Sequence, residues 1–509
     1  MDKSTEKGTR IKSSLVVLIF FVGLAILLAL AEGVTRYLEG MPLTQMRLPS
    51  VSRLQIFPPT RPDGTDSLDS IPVAGGVDRA WFASEPPALP GRDSPDSELL
   101  LIQDRIPIQG MAEFDMYKRW NRRLLDQERC GYFRYFPGFA FAFDPTEPIP
   151  HPRYRYLRNT VTPLQLVTNQ FGWRGPQVEL NKPDRTIRIA FVGASTTVNF
   201  HRYPHSYPEL VGHWLRRWVQ ERYPEILVEV INAGREGINS TDIAAVVRQE
   251  LVPVEPDLVV YYEGANEFSP GTVYSVPNLV PRAPSVKERW DRVPWIAWLY
   301  RYSVLAHRVG EFLGMLSAGD GLEPVKPIPT VAWPEGVSEE HPALTHEALP
   351  LNLAQILSNL DGMRRVLQSR NSELVLTSFV WLVHDGMALN PARHHGIYRY
   401  LNSTFYPYRY KDMRRLADFQ NHAYAEFANV HGLEFMDVAG VFPQDPDLFT
   451  DAIHNTYAGV RLRAWVVLQQ LIPIIKRGID TGRWPRPDQE PLEQHPAFVT
   501  PETTVDVHC

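Results

Sequence analysis

Ser195, Asp451 and His454 carry the side chains from which a nucleophile, its base and the base's partner can be assembled. A serine hydroxyl is a weak nucleophile until a base removes its proton, and an imidazole is the common base. A carboxylate must then hold the other ring nitrogen and stabilise the imidazolium; Asp451 stands three residues before His454 and can curl back to do so. Acyl transfer also needs preorganised donors for the oxyanion of its tetrahedral intermediate. The backbone N–H groups of Ser195 and Gly234 and the side-chain amide of Asn266 suit that role. A glycine at 234 leaves the backbone open to close approach. Each residue alone is ordinary, so their case rests on what brings them together.

The elements between them supply that convergence. Five short apolar runs, Ile187–Val192, Leu227–Ile231, Leu258–Tyr262, Leu374–Phe379 and Leu433–Val438, alternate with helix-period segments. That pattern predicts a doubly wound α/β domain with a five-stranded parallel sheet. Helix starts are expected at Ser206, with Glu209 completing a capping box, and after Ser240. Later helices are marked by Leu353 and Ile356, by Met413 and Leu416, and finally by Val460, Ala464, Val467 and Leu471. In open parallel sheets, ligands bind beyond the carboxyl ends of the strands. The segments placed there are Gly193–Thr197, Asn232–Gly237, Gly264–Glu267 and, past the fifth strand, Asp451–His454.

These four segments, in this order, resemble the signature blocks of the SGNH hydrolase superfamily, the GDSL-type esterases and lipases. The family's GDSxT, glycine, GxND and DxxH blocks correspond here to Gly193–Thr197, Gly234, Gly264–Glu267 and Asp451–His454. The resemblance covers roughly residues 185–478 and implies a flavodoxin-like three-layer sandwich. It also implies a serine hydrolase with Ser195, Asp451 and His454 as catalytic residues, and Ser195, Gly234 and Asn266 as the oxyanion hole. Ala194 departs from the family's aspartate beside the nucleophile, and Glu267 from the aspartate after the oxyanion asparagine. Neither position makes or breaks a bond.

Other chemistries are less well supplied. The net charge of −6, without a long basic run, argues against nucleic acid as a partner. His394 and His395 have no third ligand at metal-site spacing, so neither a metal nor a cofactor is expected. No GxGxxG follows the first strand. Glu263 and Glu267 flank Asn266, but a carboxylate pair for glycoside chemistry is less supported than the serine assembly. Arg174 and Arg235 could bind an anionic substrate group, but surface or structural pairing is the expected role of each. The two cysteines, Cys130 and Cys509, form no CxxC motif, and their pairing is left open.

The domain plan begins with a cytoplasmic N-terminus (1–14) and an apolar segment (15–31). Leu15 to Ala31 carries no charge and spans roughly 26 Å as a helix. Lys3, Lys7, Arg10 and Lys12 precede it, which puts the remaining chain outside the cytoplasm, in the periplasm or at the cell surface. Ala29-Leu30-Ala31 offers a signal-peptidase site, but the apolar stretch exceeds a usual signal core, so a retained membrane anchor is favoured. A Pro-rich accessory region (32–180), the catalytic domain (181–478) and a disordered tail (479–509) follow. An insertion at 269–350 exceeds ordinary loop length. Its apolar stripe, including Trp295, Leu299, Leu305, Val309 and Phe312, is expected to face the domain's own core, although a lid or a lipid-contacting surface uses the same pattern.

The expected activity is ester hydrolysis of an acylated carbohydrate or lipid outside the cytoplasm. An O-acyltransferase modifying an envelope or secreted polysaccharide would use the same triad, and a catalytically silent glycan-binding scaffold is a third reading.

Overall fold

The computed structural model describes residues 3–38, 65–87, 89, 152, 156, 167–199, 204–273, 295, 298–299, 302–313, 331–387, 389–390, 394–405 and 408–486. The chain divides into two compact units. The first comprises residues 1–58, 275–330 and 383–413, and the second 59–274, 331–382 and 414–509. Cys130, Cys509 and most of the Pro-rich accessory region lie outside the described residues.

The second unit is built on a five-stranded, wholly parallel sheet. Its strands are β1 (Thr186–Gly193), β2 (Leu227–Asn232), β3 (Leu258–Tyr262), β4 (Glu373–Thr377) and β5 (Glu434–Met436). Their spatial order is β2-β1-β3-β4-β5, the flavodoxin-like order expected from the resemblance. Ile187 pairs with Val228, and Ile189 with Leu258, so β1 lies between β2 and β3. All eight residues of β1 are buried, which is why this central parallel strand reads from Ile187 onward as an apolar run interrupted only by Arg188, whose guanidinium pairs with Glu229. The fifth strand is shorter than expected because Asp437 turns the chain, accepting the Gly440 N–H at 3.0 Å.

Right-handed crossovers place the helices. From β1 to β2 the chain moves one way along the sheet through a four-residue helix α1 (Ser195–Val198) and then α2 (Tyr207–Arg222). It reverses from β2 to β3 through α3 (Ser240–Val246), so α3 covers the opposite face. The next helix, α4 (Leu353–Gln368), packs with α3 on that face, while the long closing helix α5 (Tyr457–Asp480) packs against α2. The reversal at β1 is the switch point where such sheets present their sites.

Several expectations need correction. Ser206 starts α2 but makes no side-chain cap bond; its Oγ accepts from Asn232 Nδ2 instead. The helix expected after Ser240 begins at Ser240 itself, behind a capping box formed by Asn239 and Asp242. Part of the accessory region is core: Trp81 and Phe82 are buried, and Phe82 stacks on Trp214 and meets Trp465 edge-on. The tail expected to be disordered from 479 is packed as far as Arg486. Trp484 is buried, and Arg486 Nε bonds Asp257 Oδ1 at 2.7 Å, where Lys182 Nζ also lies 3.0 Å away. An aromatic and a cation found such partners far away in sequence, where no local pattern announces them.

The first unit contains a long N-terminal helix, Lys3–Leu38, whose Val16–Leu38 part is long and apolar enough to cross a membrane. α5 also passes that test of length and composition, but it is 89% buried, as the core helix of an α/β sandwich should be. The insertion's stripe does not pack as expected. Trp295, Trp298, Leu299, Val309 and Phe312 are all exposed.

Candidate active site

β1 delivers the chain to the site. Gly193 ends the strand where an added Cβ would lie 2.2 Å from Tyr262 O and from Thr197 Oγ1, so only glycine fits. Ser195 follows as the first residue of α1. So short a helix leaves its carbonyls almost without helical partners. Asn199 N–H reaches Ser195 O at 2.8 Å. The other three carbonyls are taken by side chains: Thr196 O by Arg463 Nη2 at 2.5 Å, Thr197 O by Asn232 Nδ2 at 3.2 Å, and Val198 O by Arg174 Nη1 at 2.8 Å. Cations at a helix C-terminus also complement its dipole. The chain then leaves through Asn199 at φ 57°, a strained backbone conformation for a side-chain-bearing residue.

The loop before α5 supplies the other two groups. Thr450 N–H and Oγ1–H both donate to His454 O, at 2.8 and 3.1 Å, closing a tight turn. Within it Asp451 Oδ1 accepts the N–H groups of Ile453 and His454, at 2.9 and 2.8 Å. Its Oδ2 lies 2.8 Å from His454 Nδ1, and His454 Nε2 lies 2.8 Å from Ser195 Oγ. Burial pushes the Asp451 carboxyl up, but the adjoining His454 ring and the two backbone N–H groups outweigh it and hold it below its ordinary value. An ionised Asp451 only accepts, so Nδ1 carries the imidazole proton and Nε2 is left as acceptor for the serine hydroxyl. His454 retains 35% side-chain exposure, leaving the relay open to a substrate.

Gly234 and Asn266 are held separately. Gly234 is buried, with Thr197 Cγ2 at 2.8 Å from where a Cβ would stand, and its N–H donates to Asn232 Oδ1 at 3.1 Å. Asn266 is exposed, and its Nδ2 donates to Ile238 O at 2.7 Å, leaving a second amide hydrogen. Its turn is fixed by Glu263, whose Oε1 accepts the N–H groups of Ala265 and Asn266, both at 2.8 Å. Glu263 is buried, and desolvation, helped by the nearby Glu267 charge and opposed by these N–H groups, pushes it up to about 7. Glu267, one of the two positions that depart from the signature blocks, accepts the Ser240 N–H at 2.6 Å at the start of α3.

The two arginines singled out in the sequence are structural partners, but buried ones. Arg174 pairs with Glu209 at 2.5 Å, and Arg235 with Glu250. Sequence reasoning missed Arg463, Asn232 and the turn-closing role of Glu263. Arg463 did leave a signal: it lies three residues after Val460 and four before Val467, on the apolar stripe of α5. A cation there has to find buried acceptors.

No family model and no curated protein matches the chain. Solved structures that it is similar to include an acetylxylan esterase from Geobacillus stearothermophilus, at 14% identity and TM-score 0.30, covering 56% of this chain and 94% of that one. Another is a protein from Desulfitobacterium hafniense assigned to a lipolytic G-D-S-L family, at 10% identity and TM-score 0.28, covering 56% and 98%. A third is the acetyl xylan esterase AlAXEase, at 13% identity and TM-score 0.30, covering 57% and 100%. The sheet order and the hydrogen-bonded relay described above rest on this chain alone.

Proposed function

We propose that this chain is a serine hydrolase of the SGNH kind that cleaves esters of acylated carbohydrate or lipid outside the cytoplasm. The observation that carries this reading is the unbroken relay from Asp451 through His454 to Ser195, each link 2.8 Å long. A binding module has no use for it. In this mechanism His454 Nε2 takes the Ser195 proton as Oγ attacks the ester carbonyl. The oxyanion is received by the Ser195 and Gly234 N–H groups and by the Asn266 amide. The Gly234 N–H would share itself between Asn232 Oδ1 and that oxygen. The imidazolium, steadied by Asp451, returns its proton to the leaving alkoxide, and the acyl group stays on Ser195. His454 then activates water to release the acid. A sugar hydroxyl in place of that water would make the enzyme an O-acyltransferase.

The extracytoplasmic reading is supported by the basic residues Lys3, Lys7, Arg10 and Lys12 ahead of the apolar helix, with that helix proposed as a membrane anchor. The test is labelling of the full-length chain with a fluorophosphonate probe. Wild type is expected to label and Ser195→Ala is not. A folded wild-type chain that does not label would overturn the enzyme reading. Supplying an acyl donor together with a polysaccharide acceptor separates hydrolysis from transfer.

A further inference from the structure

The exposed apolar stripe of the insertion sits beside the end of the N-terminal helix, within the first unit. From Val16 to Leu30 the large apolar side chains of that helix are bare. The first charge after this stretch, Glu32, is fully engaged. Its Oε1 accepts the Val304 N–H at 2.9 Å, and its Oε2 accepts the Leu305 N–H at 2.9 Å and the Ser303 hydroxyl at 2.7 Å. One turn on, Arg36 is buried; its Nε bonds Glu32 Oε1 at 2.6 Å and its Nη2 bonds Tyr302 O. Glu32 thus caps a second helix, Val304–Phe312, from outside that helix. This fixes the capped end within one turn, roughly 5 Å, of the place where the apolar stretch stops.

Along the capped helix Leu305, Val309, Phe312 and Leu313 fall at i, i+4, i+7 and i+8, which is a single face. Phe312 is 90% exposed and Leu313 61%. Before it stand two exposed indoles, Trp295 and Trp298. Bare aliphatic residues on one helical face, with tryptophans nearby, are the composition of a segment lying in the membrane–water interface. Position decides the occupant here. A surface clamped to the end of a membrane-spanning helix meets the bilayer before it meets any other partner.

We infer that the helix Val304–Phe312, with Leu313, Trp295 and Trp298, lies on the membrane and sinks its apolar face into the lipid headgroup–acyl boundary on the side where the anchor emerges, with Glu32 and Arg36 as the clamp. The inference rests on the anchor staying attached, not on the chemistry proposed at Ser195.

The experiment uses the full chain, with Cys130 and Cys509 replaced by serine, in vesicles of phosphatidylethanolamine and phosphatidylglycerol. An environment-sensitive fluorophore is placed at Phe312→Cys, at Phe21→Cys in the anchor, or at Glu340→Cys on the exposed surface, and lipids spin-labelled near the headgroup serve as quenchers. Quenching is expected at 21 and 312 and not at 340. Adding Glu32→Gln should weaken it at 312 and leave it unchanged at 21. Quenching at 21 with none at 312 overturns the interfacial surface and leaves the anchor standing; silence at both overturns the anchor as well. Quenching at 312 by a spin label on a second copy of the chain, and not by lipid, assigns the face to self-association and also overturns the inference.

Discussion

Replacing Arg463 with methionine tests how the candidate nucleophile is held. Arg463 is completely buried, and no carboxylate pairs with it among the described residues. Its acceptors are Thr196 O at 2.5 Å and the Tyr262 hydroxyl at 3.2 Å, and its guanidinium lies 4.8 Å from the ring of Tyr207 and 4.9 Å from that of Tyr262. Losing the charge-assisted bond costs about 1.5–3 kcal/mol, and the second bond about 1 kcal/mol more. Two cation–π contacts add about 1 kcal/mol each. Removing an unpaired buried cation returns several kcal/mol of desolvation. Stability should therefore change little, within about 2 kcal/mol, because the two sides nearly cancel. Geometry has no such compensation. Thr196 O, next to the nucleophile, loses its anchor, and a displacement of about 1 Å at a reacting group costs about 100-fold. The expected result for Arg463→Met is a kcat on p-nitrophenyl acetate about 100-fold down, with KM little changed and fluorophosphonate labelling slowed in parallel. Arg463→Lys keeps the charge but loses the fork, and should fall between the two. A folded Arg463→Met enzyme with kcat within about threefold of wild type would refute the reasoning.

Three further outcomes are expected. Asp451→Asn places an amide against His454 Nδ1, which favours the wrong tautomer, and kcat should fall about 10⁴-fold with the fold intact; a loss below tenfold would remove Asp451 from the relay. Glu263 is raised from 4.5 to about 7, so its folded form holds a proton that its unfolded form gives up across that range. The contribution of Glu263 to stability is then fully present below pH 4.5 and declines as pH rises to about 7, by about 3 kcal/mol. Glu263→Gln should remove that decline from the difference between the two proteins' melting curves at pH 5 and pH 8, and identical pH dependence in both would contradict the assignment. Arg174→Met strands Glu209 in the interior without its counter-charge, and unfolding free energy should fall by about 3–5 kcal/mol. A melting temperature equal to that of wild type would show that the pair contributes nothing.

Much of this architecture was legible in the sequence, for identifiable reasons. Strands buried on both faces are mostly apolar, so β1, with Arg188 as its one interruption after Thr186, and β3 could be read within a residue or two from Ile187–Val192 and Leu258–Tyr262. Ser195, Asp451 and His454 were legible as a set because the sheet's order puts the ends of its strands at one edge. What stayed hidden depends on partners distant in sequence. Trp81 and Phe82 sit in a Pro-rich stretch without periodicity, and their partners lie far along the chain: Arg217 over the Trp81 ring, and Trp214 and Trp465 against Phe82. The insertion's stripe had the right period for a core helix, and period alone does not say whether protein or another apolar medium lies opposite.

The least legible feature is the one on which the proposed chemistry leans most. A four-residue helix cannot satisfy its own carbonyls, so the position of Ser195 is underdetermined by the residues around it. Arg174 before β1, Asn232 at the end of β2 and Arg463 in the closing helix each fix one of those carbonyls. The same Asn232 also accepts the Gly234 N–H and bonds the Ser206 hydroxyl, tying the glycine block to the nucleophile block through one side chain. The three carbonyl acceptors are backbone atoms, which exist at every residue and leave no mark in a sequence. A short motif such as GxSxT therefore names the nucleophile without specifying where it points. In this chain that direction is set by two buried guanidinium groups and an amide from three separate parts of the sequence; disturbing Arg463 should affect the serine before it affects the fold, whereas disturbing Arg174, which also pairs with Glu209, should affect both.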